Sequence, residues 1–200
     1  SKILVETSAA VAWAEIGKAP AILEGFISFN KEISVIAARG WDGAIAVYDV
    51  PENQHENHIL RTSTVPASIS RATAEEARDM ARTIIGALDY VGVMGIEMFV
   101  SGTKLIVNEI APRVHNSGHW TQDACVVSQF EQHIRAICGW PLGSTVRHSN
   151  VVMHNILGHE SANWAEFAGR FDVGVHLYGK TEARRGRKMG HINVLTPRQG

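Results

Sequence analysis

Apolar residues recur along the chain with two periods, and these set the first expectations of structure. Ala9, Ala12, Trp13 and Ile16 fall at helical spacing, so a short helix is predicted over 7–16, closed by Gly17 and Pro20. The runs 22–27, 32–39 and 44–50 are rich in β-branched and apolar residues. Turn-like segments at 28–30 and 40–43 separate them, which predicts a three-stranded antiparallel meander. The polar, aperiodic stretch Pro51–His58 reads as a loop. Thr73 with Glu76 forms a capping-box pattern ahead of a helix that turns Ala77, Met80, Ala81, Ile84, Ile85 and Leu88 to one face. A second helix is expected from about Thr121, carrying Ala124, Val127, Phe130, Ile134, Ile137 and Cys138 inward as far as Gly139 and Pro141. Between the two helices, 92–113 reads as a hairpin around Ser101-Gly102-Thr103. Beyond Gly143 the pattern changes to short β-like runs at 150–157, 173–178 and 190–195, which places a boundary near residue 145 and a small β-rich unit after it.

Composition narrows the class. With 200 residues, 45% hydrophobic and 20% charged, the chain has the profile of a globular domain. Its 19 basic and 20 acidic residues leave a net charge of -1, which argues against non-specific binding to nucleic acid or anionic membranes. Two cysteines, Cys125 and Cys138, have no metal-ligand spacing and read as reduced, inward-facing thiols of a cytosolic protein. No apolar run reaches the roughly 20 residues of a bilayer span. The opening at Ser1 within an extended-looking run reads as the interior of a longer protein. Nucleophile-elbow, Walker A and zincin motifs are absent from the sequence.

Candidate chemistry concentrates in the hairpin, with Glu97 on its first strand and Glu109 on its second. A three-residue loop at 101–103 would set Glu97 opposite Val107 and leave Glu109 diagonal to it on the same face. Two carboxylates could then converge on a hard cation such as Mg²⁺. A two-residue loop would send them to opposite faces. The alternative is a pair of glutamates on a solvated strand face, weakened by the apolar neighbours Ile96, Met98, Ile106, Val107 and Ile110. The following loop, 111–119, is dense in donors: Arg113 can pair with carboxylate or phosphate, and His115 and His119 can exchange protons near neutral pH. In the tail, Lys180, Arg184, Arg185, Arg187 and Lys188 surround Gly186, a loop suited to a phosphate monoester or simply a solvated basic turn. Glu24 and Glu32 flank the first turn of the meander, where an acid can accept from ribose hydroxyls. His55 in the polar loop can pack beside a nucleotide.

The segments ILEGFISFNKEISVIAARG, ENQHENHIL and YVGVMGIEMFV, the string VNEIAPRVHNSGHWTQDACVVSQFEQHIRAICGWPLG and the tail GRKMGHINVL together resemble the 5-(carboxyamino)imidazole ribonucleotide synthase (PurK) family of ATP-grasp enzymes. The resemblance implies an α+β fold, an ATP-grasp large lobe of antiparallel sheet flanked by helices with a small C-terminal β-rich subdomain. It implies three units: a remnant of the lid lobe over 1–23, the nucleotide and Mg²⁺ lobe over 24–145, and the β subdomain over 146–200. The lid's glycine-rich loop, a phosphate-binding lysine and an N-terminal domain would lie upstream. Implied ligands are ATP, Mg²⁺, bicarbonate and 5-aminoimidazole ribonucleotide, with carboxylation of the ribonucleotide through carboxyphosphate in purine biosynthesis. On that pattern Glu97 and Glu109 match metal ligands, and Asn108 and Glu109 lie beside the nucleotide phosphates. Glu24, Gly25, Phe26 and Ile27 match the adenine-holding strand, Glu32 the ribose acid and His55 a nucleotide contact. Arg113 and His115 match catalytic residues facing the carboxyphosphate and imidazole, and Lys180 and Arg187 a ribotide phosphate clamp. The family suggests a cytoplasmic homodimer acting on small molecules. Other ATP-grasp ligases, using formate with glycinamide ribonucleotide or carboxylating biotin, and a non-catalytic nucleotide-binding module remain alternative readings.

Overall fold

The computed structural model describes residues 8–198. The predicted helix start at Thr7 and the first seven residues of the 1–23 segment lie outside the described residues. Helix α1 (Ala9–Glu15) is capped by Ser8, whose hydroxyl accepts from Val11 N, and ends before Gly17 at φ +72°. Then follow β1 (Lys31–Arg39), β2 (Ile45–Val47), β3 (Glu52–Glu56), β4 (Ile59–Val65), α2 (Arg71–Ala87), β5 (Gly92–Ser101) and β6 (Lys104–Ala111). After a 3-10 turn at Asn116–Gly118 come α3 (Thr121–Ala124), α4 (Gln129–Ile137), β7 (Ser149–Leu157), α5 (Trp164–Ala168), β8 (Val173–Leu177) and β9 (Lys188–Pro197). The strands form one antiparallel sheet in the order β6-β5-β1-β3-β4-β7-β9-β8, with β2 also on β1, so the architecture is the expected α+β one. No described helix is long and apolar enough to cross a membrane.

β1 is buried on both faces because helices or loops cover each side. Ile33, Val35 and Ala37 pack with Met94, Ile96 and Met98 of β5 against Ala77, Ala81 and Ile85 of α2. Ile36 and Ala38 join Val93, Tyr48 and Trp120 on the opposite face. Side chains alternate along a strand. Glu32 and Ser34 on β1 and Gly95 and Glu97 on β5 therefore share the face turned away from α2, and the functional side chains gather there.

Several expectations are corrected. Residues 22–27 form no strand: Ile22, Leu23 and Phe26 are exposed in extended irregular chain. β1 pairs instead with β2, β3 and β5. The polar stretch Pro51–His58 is not a loop. It carries β3, which hairpins into β4 through Asn57 and His58 at φ +51° and +63°. Both central residues at positive φ match a type I′ connection, and β3 is polar because much of it faces solvent rather than core. For α2 the cap is Ser70, whose hydroxyl accepts from Thr73 N at 3.0 Å, and Leu88 lies exposed past the helix end.

The predicted helix from Thr121 is two helices, broken where Cys125 turns extended and bridges to Arg147. The face of α4 is inverted from the expected one, burying Gln129, Gln132 and Ala136 while Ile134, Ile137 and Cys138 are exposed. Each glutamine grips backbone. Gln132 exchanges two hydrogen bonds with Gly143, and Gln129 accepts from His115 N at 2.9 Å and donates to His115 O at 2.7 Å. Satisfying these loop amides in the interior offsets the burial of the carboxamides.

Candidate active site

The hairpin loop has two residues, Gly102 and Thr103, since Ser101 pairs with Lys104. Gly102 takes φ +61°, as the first central position of a type II′ turn requires. That register continues through Met98 opposite Val107, so an unbroken ladder would aim Glu109, like Val107, at the α2 side. A β-bulge intervenes. The register shifts at Glu97/Met98, and Glu97 sits directly opposite Glu109, with Asn108 as the extra residue. The expected three-residue loop and diagonal pairing are thus corrected, and the convergence of the two carboxylates survives by a different route.

Around this pair the sheet assembles the other groups of its outer face. A Glu32 carboxylate oxygen lies against His55 Nδ1, and Glu32, Asn53, His55, Glu97, Met98, Phe99 and Asn108 line one narrow cleft. His115 Nε2 lies 3.4 Å from Glu97 Oε1, and ligand atoms of Glu97, Glu109 and His115 all fall within 4.8 Å of one another. Burial raises the Glu97 pKa, and the facing Glu109 raises it further. Two carboxylates held face to face, one of them with its charge disfavoured by burial and by the other, are the electrostatic signature of a place for a cation. Burial pushes His115 down to about 4, helped by Arg113 and Lys188. His115 fits against the sheet only because residue 95 is glycine: a Cβ there would stand 2.6 Å from the His115 Cβ.

Other candidate residues lie at varied distances from this centre. Ser28 and Asn30, which follow 24–27, hold the hairpin tip: Ser101 Oγ donates to Ser28 O at 2.9 Å and Gly102 N to Asn30 Oδ1 at 2.8 Å. Phe29 stacks on Phe99 with centroids 4.3 Å apart. Glu24, Gly25 and Phe26 are exposed and Ile27 is partly buried in the irregular chain that leads to these contacts. Arg113 is exposed, its guanidinium donating to Val114 O at 2.9 Å. Lys180 and Arg187 sit exposed in the β8–β9 loop, donating to Lys188 O and Glu182 O, and make no bond to the carboxylates.

Several residues that sequence reasoning passed over contribute here. Lys188, seen only as one of a charge run, is half-buried. Burial lowers its pKa, the nearby Glu97 carboxylate opposes that, and Arg113 and Lys180 add to it. Gln129 clamps the 115 backbone and also meets His119 Nδ1 at 2.9 Å. Behind it, His119 and His176 pack on either side of His191, with centroids 4.8 and 4.5 Å away. Asp123 receives His176 Nε2 at 2.7 Å and Asn193 Nδ2 at 2.6 Å. The period of α4 hid Gln129, because a helix read by its apolar stripe assigns glutamine to the outside.

Comparison with known proteins places this geometry. Residues 3–130 match the ATP-grasp domain family and 151–200 the phosphoribosylaminoimidazole carboxylase C-terminal domain family. The chain is 56% identical over 197 residues to N5-carboxyaminoimidazole ribonucleotide synthase of Brucella melitensis, covering 98% of this chain and 54% of that protein. It superimposes on the crystal structure of the N5-carboxyaminoimidazole ribonucleotide synthetase from Thermus thermophilus with a TM-score of 0.87 at 42% identity, over 97% of this chain and 54% of that one. The Aspergillus clavatus N5-carboxyaminoimidazole synthase, solved with ADP and 5-aminoimidazole ribonucleotide, gives a TM-score of 0.82 at 34% identity, over 86% and 48%. The chain spans about half the length of the curated relatives it matches.

Proposed function

The chain belongs to the ATP-grasp family, and from that premise we propose that it forms the nucleotide-binding and carboxylating part of an N5-carboxyaminoimidazole ribonucleotide synthase. The reaction is the ATP- and bicarbonate-dependent carboxylation of 5-aminoimidazole ribonucleotide. The observation that carries the proposal is the bulge that sets Glu97 against Glu109 at the mouth of a cleft lined by Glu32, His55 and Asn108. The names of the relatives favour this acceptor over glycinamide ribonucleotide or biotin.

Two opposed carboxylates, one with a raised pKa, fit a hard divalent cation, and Glu97 and Glu109 would hold Mg²⁺. Bound there, Mg²⁺ supplies charge neutralisation for the phosphates of ATP. The chain's own residues do the rest. Backbone groups of Glu24, Gly25, Phe26 and Ile27 take the adenine, Glu32 accepts from the ribose with His55 beside it, and Asn108 donates to the phosphates. Bicarbonate is a poor nucleophile, so its activation as carboxyphosphate depends on positioning and on cations around the transferring oxygens. Arg113 and His115 face that anion and the imidazole, and Lys188 adds a half-buried positive charge that acts on Glu97. Lys180 and Arg187, on the exposed β8–β9 loop, take the ribotide phosphate. The division at residues 23 and 145 and a cytoplasmic homodimer belong to the same proposal.

Phosphate release by the full-length protein with ATP, Mg²⁺ and bicarbonate tests it. The proposal expects strong stimulation by 5-aminoimidazole ribonucleotide and its loss in Glu109→Gln. Release that ignores the ribonucleotide, or that persists in the variant, sinks it.

A further inference from the structure

Behind His115 runs a chain of buried polar side chains to which the function above assigns no role. Ser34, Ser63 and Ser117 are fully buried and Asn53 is 5% exposed. They connect three strands to the 113–119 loop: Ser63 Oγ to Asn53 Oδ1 at 2.7 Å, Asn53 Nδ2 to Ser34 Oγ at 3.0 Å, Ser34 Oγ to Ser117 Oγ at 2.7 Å, and Ser117 Oγ to His115 Nδ1 at 2.9 Å. Hydroxyls can turn, so the sense of such a chain needs a fixed point. The Ser117 backbone N–H supplies it by pointing at the same Nδ1 at 3.4 Å: a backbone donor cannot reverse, and although so long a contact holds the ring weakly, it sets the sense in which the 2.9 Å hydroxyl bond makes the stronger hold.

Nδ1 therefore carries a lone pair, and the Ser117 hydroxyl is free to donate into it. That in turn makes Ser117 the acceptor from Ser34, Ser34 the acceptor from the Asn53 amide, and the Asn53 carbonyl the acceptor from Ser63. Every link then has one donor and one acceptor. A ring whose Nδ1 accepts holds its proton on Nε2, the nitrogen 3.4 Å from Glu97 Oε1. Protonating Nδ1 instead would aim an N–H at the Ser117 N–H in a fully buried site, where an unmet donor is costly.

We propose that Ser117, backed by Ser34, Asn53 and Ser63, is a positioning residue that locks His115 in the Nε2–H tautomer. His115 then turns its Nε2–H toward Glu97 and the anion held there, and is not a third ligand of the cation. Proximity alone would suggest the opposite, since His115 lies within ligand range of both glutamates. A metal-binding histidine needs a bare nitrogen facing the ion, and here the bare nitrogen faces Ser117. The inference rests on the proposed carboxylate site, but its primary readout does not depend on turnover.

Long-range proton–nitrogen NMR of the full-length protein labelled with ¹⁵N-histidine reads the tautomer directly. The expected spectrum has His115 Nε2 protonated and Nδ1 bare, unchanged by Mg²⁺ alone or by Mg²⁺ with ADP. A proton on Nδ1, or loss of the Nε2 proton when Mg²⁺ is added, overturns the proposal. Ser117→Ala should give a mixture of tautomers and lower kcat by about 10- to 100-fold with KM for ATP held within about twofold, and Ser117→Thr should restore both. Should Ser117→Ala not fold, Ser34→Ala, which leaves the Ser117 hydroxyl without its donor, should show the same mixing to a smaller degree. A wild-type tautomer in both alanine variants also overturns the proposal. A locked tautomer in an enzyme whose phosphate release ignores the ribonucleotide would refute the proposed function alone.

Discussion

Gly95→Ala is a one-carbon change with a calculable consequence. Gly95 lies in the middle of β5, paired with Ile36 on one side and Ala111 on the other, and its missing side chain faces His115. An added Cβ would stand 2.6 Å from His115 Cβ and 2.8 Å from Cγ, whereas ordinary contact begins near 3.4 Å. Gln129 holds the His115 backbone by two hydrogen bonds and Ser117 holds its ring, so relief requires the imidazole to retreat by roughly 1 Å, a misplacement that can cost on the order of 10²-fold in kcat. Two terms oppose each other in stability. Replacing glycine in a strand gains about 0.5–1 kcal/mol from the unfolded chain, and overpacking costs about 1–3 kcal/mol. The net expectation is a loss between about 0 and 2.5 kcal/mol. Urea melts and ribonucleotide-dependent phosphate release of full-length Gly95→Ala read both. A folded variant with kcat within twofold of wild type would refute the claim that His115 is fixed against β5 for function.

Gly86→Ala is the converse case: the new Cβ in α2 would meet only Ile45 Cδ1 at 3.8 Å, so a gain of about 0.5–1 kcal/mol with unchanged turnover is expected in the same melts. Burial, reinforced by neighbouring charged and imidazole groups, pushes His119 and His191 from 6.5 down to about 3, so between those pH values the unfolded chain binds protons that the folded one does not. Stability should accordingly be level above about pH 7 and fall below pH 6.5, by up to about 1.4 kcal/mol per pH unit for each ring, as urea midpoints against pH will show. Burial raises the Cys125 thiol to about 12 while Cys138 is exposed. Peptide mapping after brief alkylation of the native protein should find Cys138 modified and Cys125 spared, with both modified in denaturant.

What the sequence disclosed followed local physics. β1 was legible because its apolar run is long enough to be buried on both faces, and α2 because its small apolar residues keep one stripe. The hairpin was legible through Gly102. The bulge at Asn108 was not, since no glycine marks it and its only sign is the pairing of Glu97 with Glu109 in three dimensions. β3 escaped notice because its side chains mostly face solvent and its turn is Asn57-His58 rather than a glycine pair. α4 inverted because buried glutamines satisfy loop backbone, a tertiary need that periodicity does not register. Lys188 was indistinguishable from its basic neighbours until β9 aimed it inward and left Lys180 and Arg187 on the surface.

The central claim is that the opposed carboxylates serve attack of bicarbonate on ATP ahead of transfer to an amine. Its most direct test is oxygen transfer in the full-length enzyme supplied with ¹⁸O-bicarbonate, ATP, Mg²⁺ and 5-aminoimidazole ribonucleotide. Attack of a bicarbonate oxygen on the γ-phosphorus, followed by cleavage of the carbon–oxygen bond when nitrogen attacks, leaves one labelled oxygen in each phosphate released. The account predicts that label, and predicts that it disappears together with turnover in Glu109→Gln. Unlabelled phosphate accompanying carboxylated product would contradict it.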